Sequence, residues 1–131
     1  MAQNIVLVAN RDGEYRVRAS VAGLALDLVV DTGFTHAQCR VRVGLDVNNF
    51  GAVRARLSDL GRSEIETFGI SALVSSGTGD VQLEGLPAST VTTRILDAGD
   101  NVLGVCYFHR LPNHRLEWDF ERRTMTISER G

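Results

Sequence analysis

Asp31, Thr32 and Gly33 stand together directly after the apolar run Leu28-Val29-Val30. They offer a carboxylate, a hydroxyl and a stretch of backbone with no side chain in the way. A carboxylate serves as general acid or general base, and the two roles can be divided between two carboxylates held close enough to share one proton. This chain offers one Asp in such a setting. A C2 homodimer would bring Asp31 beside its own mate on the symmetry axis, because an isologous contact repeats the same patch on both subunits. The Thr32 hydroxyl can tie down the loop, and Gly33 lets the backbone pass close to the carboxylate. The plain alternative is a turn-forming Asp at a strand end.

The rest of the inventory removes other chemistries. All fourteen basic residues are Arg and Lys is absent, so neither a phosphate-binding P-loop nor Schiff-base catalysis can operate. Coding from a GC-rich genome accounts for the bias. The two cysteines, Cys39 and Cys106, have no His or Asp at a spacing that suggests a thiol nucleophile. Cys106 sits within the apolar Val105-Cys106-Tyr107-Phe108, and both cysteines are expected to be reduced, separate and small buried residues. His36, His109 and His114 show no metal-ligand spacing with Cys or acids, so no metal and no cofactor is expected. His36 reads as an exposed loop residue, and His109 and His114 as surface. A net charge of −2 and a pI near 5.9 weigh against a nucleic-acid partner. The pairs Arg16/Arg18, Arg40/Arg42 and Arg54/Arg56 share i, i+2 spacing and read as solvated strand faces.

These residues need a frame. A chain of 131 residues fits one domain, 1–131, and 44% hydrophobic with 23% charged residues is the composition of a globular protein. No apolar stretch approaches the ~20 residues of a membrane span. Met1-Ala2-Gln3-Asn4 does not begin a secretory signal, so a cytoplasmic chain with no membrane partner is expected.

Along the chain, Asn4 to Ala9 reads as a strand and Asn10 to Gly13 as the turn of a hairpin with Tyr15 to Val21, where apolar and polar residues alternate. Ala22-Gly23 turns into a third strand, Leu24 to Val30, which delivers Asp31. Arg40 to Val43 is strand-like, and Gly44 to Gly51 reads as a loop with at most one helical turn. Val53 to Leu57 and Ile65 to Val74 read as strands around an exposed hairpin tip, Ser58 to Ser63. Ser75 to Asp80 reads as a turn, and Val81 to Gly85 and Thr90 to Leu96 continue the sheet. Gly104 to Leu111 reads as the only helix, stopped by Pro112. Leu116, Trp118 and Phe120 alternate with acids as core positions, and a turn at Glu121 to Arg123 leads to Met125 and Ile127. About ten short strands at 8 to 12 residue spacing predict an all-β barrel or sandwich.

With Asp31-Thr32-Gly33 after an apolar strand, Val102-Leu103-Gly104 some seventy residues on before a short helix, and Leu116 to Ile127 at the end, the chain resembles the retropepsin-like aspartic proteases. The likeness is to their small single-lobed bacterial members and runs from about Tyr15 to Ile127. It implies an all-β, single-lobed closed barrel with one short helix, acting as a homodimeric endopeptidase on a peptide or protein substrate. In that resemblance Asp31 is the catalytic carboxylate, with Thr32 and Gly33 its supporting turn. Asp59, Leu60 and Gly61 are the flap tip over the substrate, and Val102, Leu103 and Gly104 pack beneath the active-site loop. Two positions depart from the family's pattern: His36, where a small residue is usual, and Val105-Cys106, where an acidic or polar residue is common. A non-catalytic dimeric β-barrel that keeps the fold as a binding or assembly module is the alternative reading.

Overall fold

Side-chain alternation decides which face of each strand meets the interior. In β2 (Arg16–Val21), Val17, Ala19 and Val21 are buried and the residues between them turn outward. In β3 (Leu24–Asp31), Leu28 and Val30 are buried, so the period of two carries Asp31 to the opposite face, with Ala25 and Asp27. Asp31 is therefore presented to solvent by strand parity before any turn is considered. The computed structural model describes residues 4–34, 39–67, 69–96 and 99–130.

Two sheets share the core. β1 (Asn4–Val8), β10 (Thr124–Glu129) and β9 (His114–Asp119) form an antiparallel sheet in the order β1-β10-β9. The larger sheet runs β2-β3-β8-β4-β7-β6-β5, with β4 (Val41–Leu45), β5 (Ser58–Thr67), β6 (Ile70–Leu83), β7 (Ser89–Ile95) and β8 (Val102–Gly104). An added pairing of β2 with β6, through Val21↔Val81 and Ala19↔Leu83, closes it into a ring. Two pairings in the ring are parallel, β3 with β8 and β4 with β7. Inside lie Val21, Leu28, Val43, Leu45, Val81, Leu83, Leu103 and Tyr107, joined by Met125 and Ile127 from the smaller sheet. The fold is all-β, as the strand spacing predicts. Among the described residues no helix is long and apolar enough to cross a membrane.

Several local expectations are corrected. The Asn10 turn exists, with the Asn10 carboxamide oxygen accepting the N–H groups of Asp12 and Glu14. It carries the chain from one sheet to the other instead of closing a hairpin, because β1 pairs with β10. The stretch expected as a loop at Gly44–Gly51 begins as the end of β4 and from Val47 is the start of the helix α1 (Val47–Val53), and the expected strand at Val53–Leu57 is a 3-10 turn, Arg54–Arg56. Asp46 caps α1, its carboxylate accepting the Asn49 N–H at 2.7 Å, while Phe50 and Val53, three residues apart, insert into the core. The helix expected at Gly104–Leu111 is a 3-10 segment, Val105–Arg110.

Ser58–Ser63 is not a hairpin tip and Ser75–Asp80 is not a turn. They lie within β5 and β6, and the reversal falls between Thr67 and Ile70. Gly77 and Gly79 serve packing: a Cβ on Gly77 would stand 2.9 Å from the Leu57 Cβ, and one on Gly79 2.5 Å from the Leu57 Cδ2. Phe120 is 79% exposed instead of core, because β9 ends at Asp119 and the alternation ends with it. It stacks on the half-buried Trp118. Cys39 and Cys106 are joined as a disulfide with a Cα–Cα distance of 5.5 Å, contrary to the expectation of separate thiols. Parallel pairing of β3 with β8 brings their two turns side by side, which a separation of 67 residues hides in the sequence.

Candidate active site

Asp31 ends β3 in Cα register with Gly104 at the end of the parallel strand β8, with Val30 opposite Leu103 and Val29 opposite Val102. The six residues Asp31, Thr32, Gly33, Val102, Leu103 and Gly104 are thus brought to one seam. On its other side β8 pairs with β4 through Val43↔Leu103, so the seam is three strands wide at the point where the carboxylate emerges. Leu103 is fully buried and anchors it from below.

The turn after β3 holds its own carboxylate. Asp31 Oδ1 accepts the Gly33 N–H at 2.8 Å, and the Asp31 carbonyl accepts the Phe34 N–H at 3.3 Å. Asp31, Thr32 and Gly33 are exposed, while Phe34 turns inward and is buried. The turn therefore points its polar atoms out and pins its exit with an aromatic ring. A Cβ on Gly33 would come within 3.3 Å of Asp31 Oδ1, crowding the oxygen that the turn holds.

Gly104 matters for a different reason. Its φ is −70°, ordinary for any residue, yet a Cβ there would lie 2.6 Å from the Phe34 carbonyl oxygen and 2.8 Å from Phe34 Cδ1. The glycine lets β8 press directly against the turn that carries Asp31. From the other side the guanidinium carbon of Arg94 sits 5.3 Å from the centre of the Phe34 ring. Arg94 is the one charged side chain buried among the described residues, and a cation over an aromatic face in such a setting contributes about 0.5–2 kcal/mol.

Behind the seam, the Cys39–Cys106 disulfide joins the residue two before β4 to the residue two after β8. Arg42 Nε donates to the Cys106 carbonyl at 3.1 Å. Burial, with the charge of Arg110 as a second cause, lowers the pKa of Arg42 from its ordinary value. The Tyr107 hydroxyl donates to the Val81 carbonyl at 2.9 Å, tying the 3-10 segment to β6, and burial raises its pKa.

Asp59, Leu60 and Gly61 are not brought to the tip of a hairpin. They lie at the irregular start of β5, where the register with β6 shifts between Ser58 and Gly61, and Leu60 packs toward Gly77. The tip is at the far end of β5 and β6, where Gly69 adopts φ +76° and Ile70 and Leu73 are exposed. His36 lies outside the described residues. His109 is exposed and His114 half-buried, its Nδ1 2.8 Å from the Pro112 carbonyl. No group of three or more possible metal ligands occurs among the described residues. The sequence reading missed Phe34, Arg94 and the disulfide. The cysteine count of two carried a usable signal for the last, whereas an Arg at the end of the Thr-rich strand β7 gave none.

No protein-family model matches this sequence, and no curated protein matches it. Among solved structures, a retropepsin-like aspartic protease from Rickettsia conorii matches over 98% of this chain and 92% of its own, with a TM-score of 0.71 and 16% identity. EIAV protease, solved with an inhibitor, matches over 76% of this chain and 89% of its own, with a TM-score of 0.58 and 13% identity. Residue identity is low in both, so the likeness is one of architecture: this chain has the retropepsin-like fold of the aspartic proteases.

Proposed function

We propose that this chain is an aspartic-type endopeptidase that acts as a homodimer. The observation that carries the reading is the exposed Asp31 carboxylate, held by the Gly33 N–H at the β3–β8 seam of a retropepsin-like fold. In the dimer the two Asp31 side chains share one proton. The ionised one takes a proton from water as the water oxygen attacks the scissile carbonyl carbon, and the protonated one gives its proton to the carbonyl oxygen. Collapse of the tetrahedral intermediate then breaks the C–N bond as a proton passes to the amine. Thr32 and Gly33 support this turn, Val102, Leu103 and Gly104 form the floor beneath it, and no cofactor is called on.

The β5–β6 hairpin is the flap of this reading, with its tip around Gly69. Exposed Ile70 and Leu73 offer an extended peptide an apolar cover that also keeps water from the reacting bond. The sheet of terminal strands, with β1 at one edge, contributes to the contact between subunits.

Sedimentation at micromolar concentration and cleavage of an unstructured protein at a series of pH values test the reading together. A dimer is expected, with a bell-shaped profile whose optimum lies on the acid side of neutrality, because only the singly protonated pair is competent. A statine-type transition-state mimic blocks it, and Asp31→Asn abolishes it with an unchanged circular dichroism spectrum. A strictly monomeric chain that cleaves peptides would refute the shared site. Cleavage surviving Asp31→Asn would make this Asp structural and put the non-catalytic binding module in front.

A further inference from the structure

We propose that the Cys39–Cys106 disulfide is a thiol–disulfide exchange site whose partner is a dithiol reductant, and that opening it loosens the seam presenting Asp31. The effect on cleavage rests on the peptidase reading above; the exchange and the loosening do not.

The bond sits where it can act on the site. Cys106 follows Gly104 by two residues, Gly104 is in register with Asp31, and Cys39 precedes β4 by two residues. The cross-link therefore fastens the exit of β8 to the entry of β4 at the end of the three-strand seam where the carboxylate emerges. β8 is only three residues long, with three register pairs to β3 and two to β4, so a covalent tie just past its end adds to its restraint. The contact that depends on that restraint is the close approach of Gly104 to Phe34, the residue that pins the exit of the Asp31 turn. Cys39 itself sits at φ +66°, a backbone conformation that a side chain disfavours and that the bond helps to hold.

The two cysteine residues differ in exposure. Cys106 is buried, whereas Cys39 is part-exposed and followed by exposed Arg40. An incoming thiolate reaches Cys39 Sγ, forms a mixed disulfide there, and displaces Cys106 as the leaving thiolate, which takes up a proton. The second thiol of the reductant then attacks the mixed disulfide and leaves as an oxidised dithiol, releasing Cys39 as a thiol. Two electrons and two protons have passed from the reductant to the chain.

The test uses the full chain. Brief exposure to glutathione, acid quenching and peptide mass spectrometry are expected to find the mixed disulfide on Cys39 at least tenfold more often than on Cys106. After dithiothreitol, hydrogen exchange at Asp31–Phe34 and Leu103–Gly104 is expected to speed up at least tenfold while Val21 and Val81 on the opposite seam stay protected. Peptide cleavage falls several-fold and returns on reoxidation, and a Cys39→Ser, Cys106→Ser double variant stays at the reduced level whatever the reductant. Equal trapping on both sulfurs, unchanged exchange at Asp31–Phe34 after reduction, or a double variant that still responds to dithiothreitol overturns the proposal. If the double variant does not fold, the dithiothreitol comparison on the native chain decides alone. Absence of cleavage in both redox states refutes the peptidase reading, while trapping and hydrogen exchange still judge the exchange site.

Discussion

Gly104→Ala and Gly51→Ala make the same chemical change with opposite expected signs. At Gly104 the new methyl would stand 2.6 Å from the Phe34 carbonyl oxygen, 2.8 Å from Phe34 Cδ1 and 3.3 Å from the Arg42 carbonyl oxygen. Comfortable contact begins near about 3.5 Å, so β8 or the Asp31 turn must retreat by most of an ångström. Two of the three obstacles are backbone atoms and cannot rotate away. Such overpacking costs about 1–3 kcal/mol. Gly51 lies inside α1 and a Cβ there meets nothing within 4 Å, so alanine gains about 0.4–1 kcal/mol by reducing the freedom of the unfolded chain. With an unfolding entropy of about 2.1 cal/mol/K per residue over 131 residues, each kcal/mol moves Tm by roughly 3.6 °C. Gly104→Ala should melt about 4–11 °C below the native chain and Gly51→Ala about 1–4 °C above it, by calorimetry or thermal circular dichroism. The displaced turn should also lower kcat in Gly104→Ala, with Gly51→Ala unaffected. A Gly104→Ala chain as stable as the native one would refute the packing argument.

Asp46→Ala removes the cap of α1, whose carboxylate accepts both the backbone N–H and the side-chain amide of Asn49; urea denaturation should show a loss of about 1 kcal/mol. Tyr107→Phe removes the hydrogen bond to the buried Val81 carbonyl and should cost about 1 kcal/mol at neutral pH. The Tyr107 pKa is raised by burial, so the neutral phenol's stabilisation is complete below the unfolded value near 10 and fades as pH rises through the folded value. The native chain should therefore lose stability above about pH 10 more steeply than Tyr107→Phe, and parallel curves would refute this. Ile70→Ser alters an exposed residue at the hairpin tip and should change stability by less than about 0.5 kcal/mol while raising KM for a peptide substrate. An unchanged KM would move the substrate cover away from this hairpin.

What the sequence by itself determined was local. Alternation in Arg16–Val21 marked a half-buried strand, the same period carried Asp31 out of the core, and the order of apolar runs and glycines marked an all-β chain. The residues of the seam were legible because each group, Asp31-Thr32-Gly33 and Val102-Leu103-Gly104, is contiguous and carries its own pattern. Ser75–Asp80 reads as a turn because glycine usually signals one. Gly77 and Gly79 are extended instead, and their missing side chains are the space that Leu57 and Leu60 fill.

Tertiary structure alone decided what depends on distant partners. β1 left its neighbour for β10, pairing Asn4 with Ser128, 124 residues further on, because burying Ile5 and Leu7 against Met125 and Ile127 needs the far end of the chain. The Cys39–Cys106 bond and the stacking of Arg94 on Phe34 arise in the same way. Each joins residues that no period or spacing relates, and each forms only once parallel pairing has set β3 beside β8 and β4 beside β7. Hydrophobic periodicity reports which face of an element is buried. It is silent on which other element covers that face, and at this site the covering elements hold the turn that carries the carboxylate.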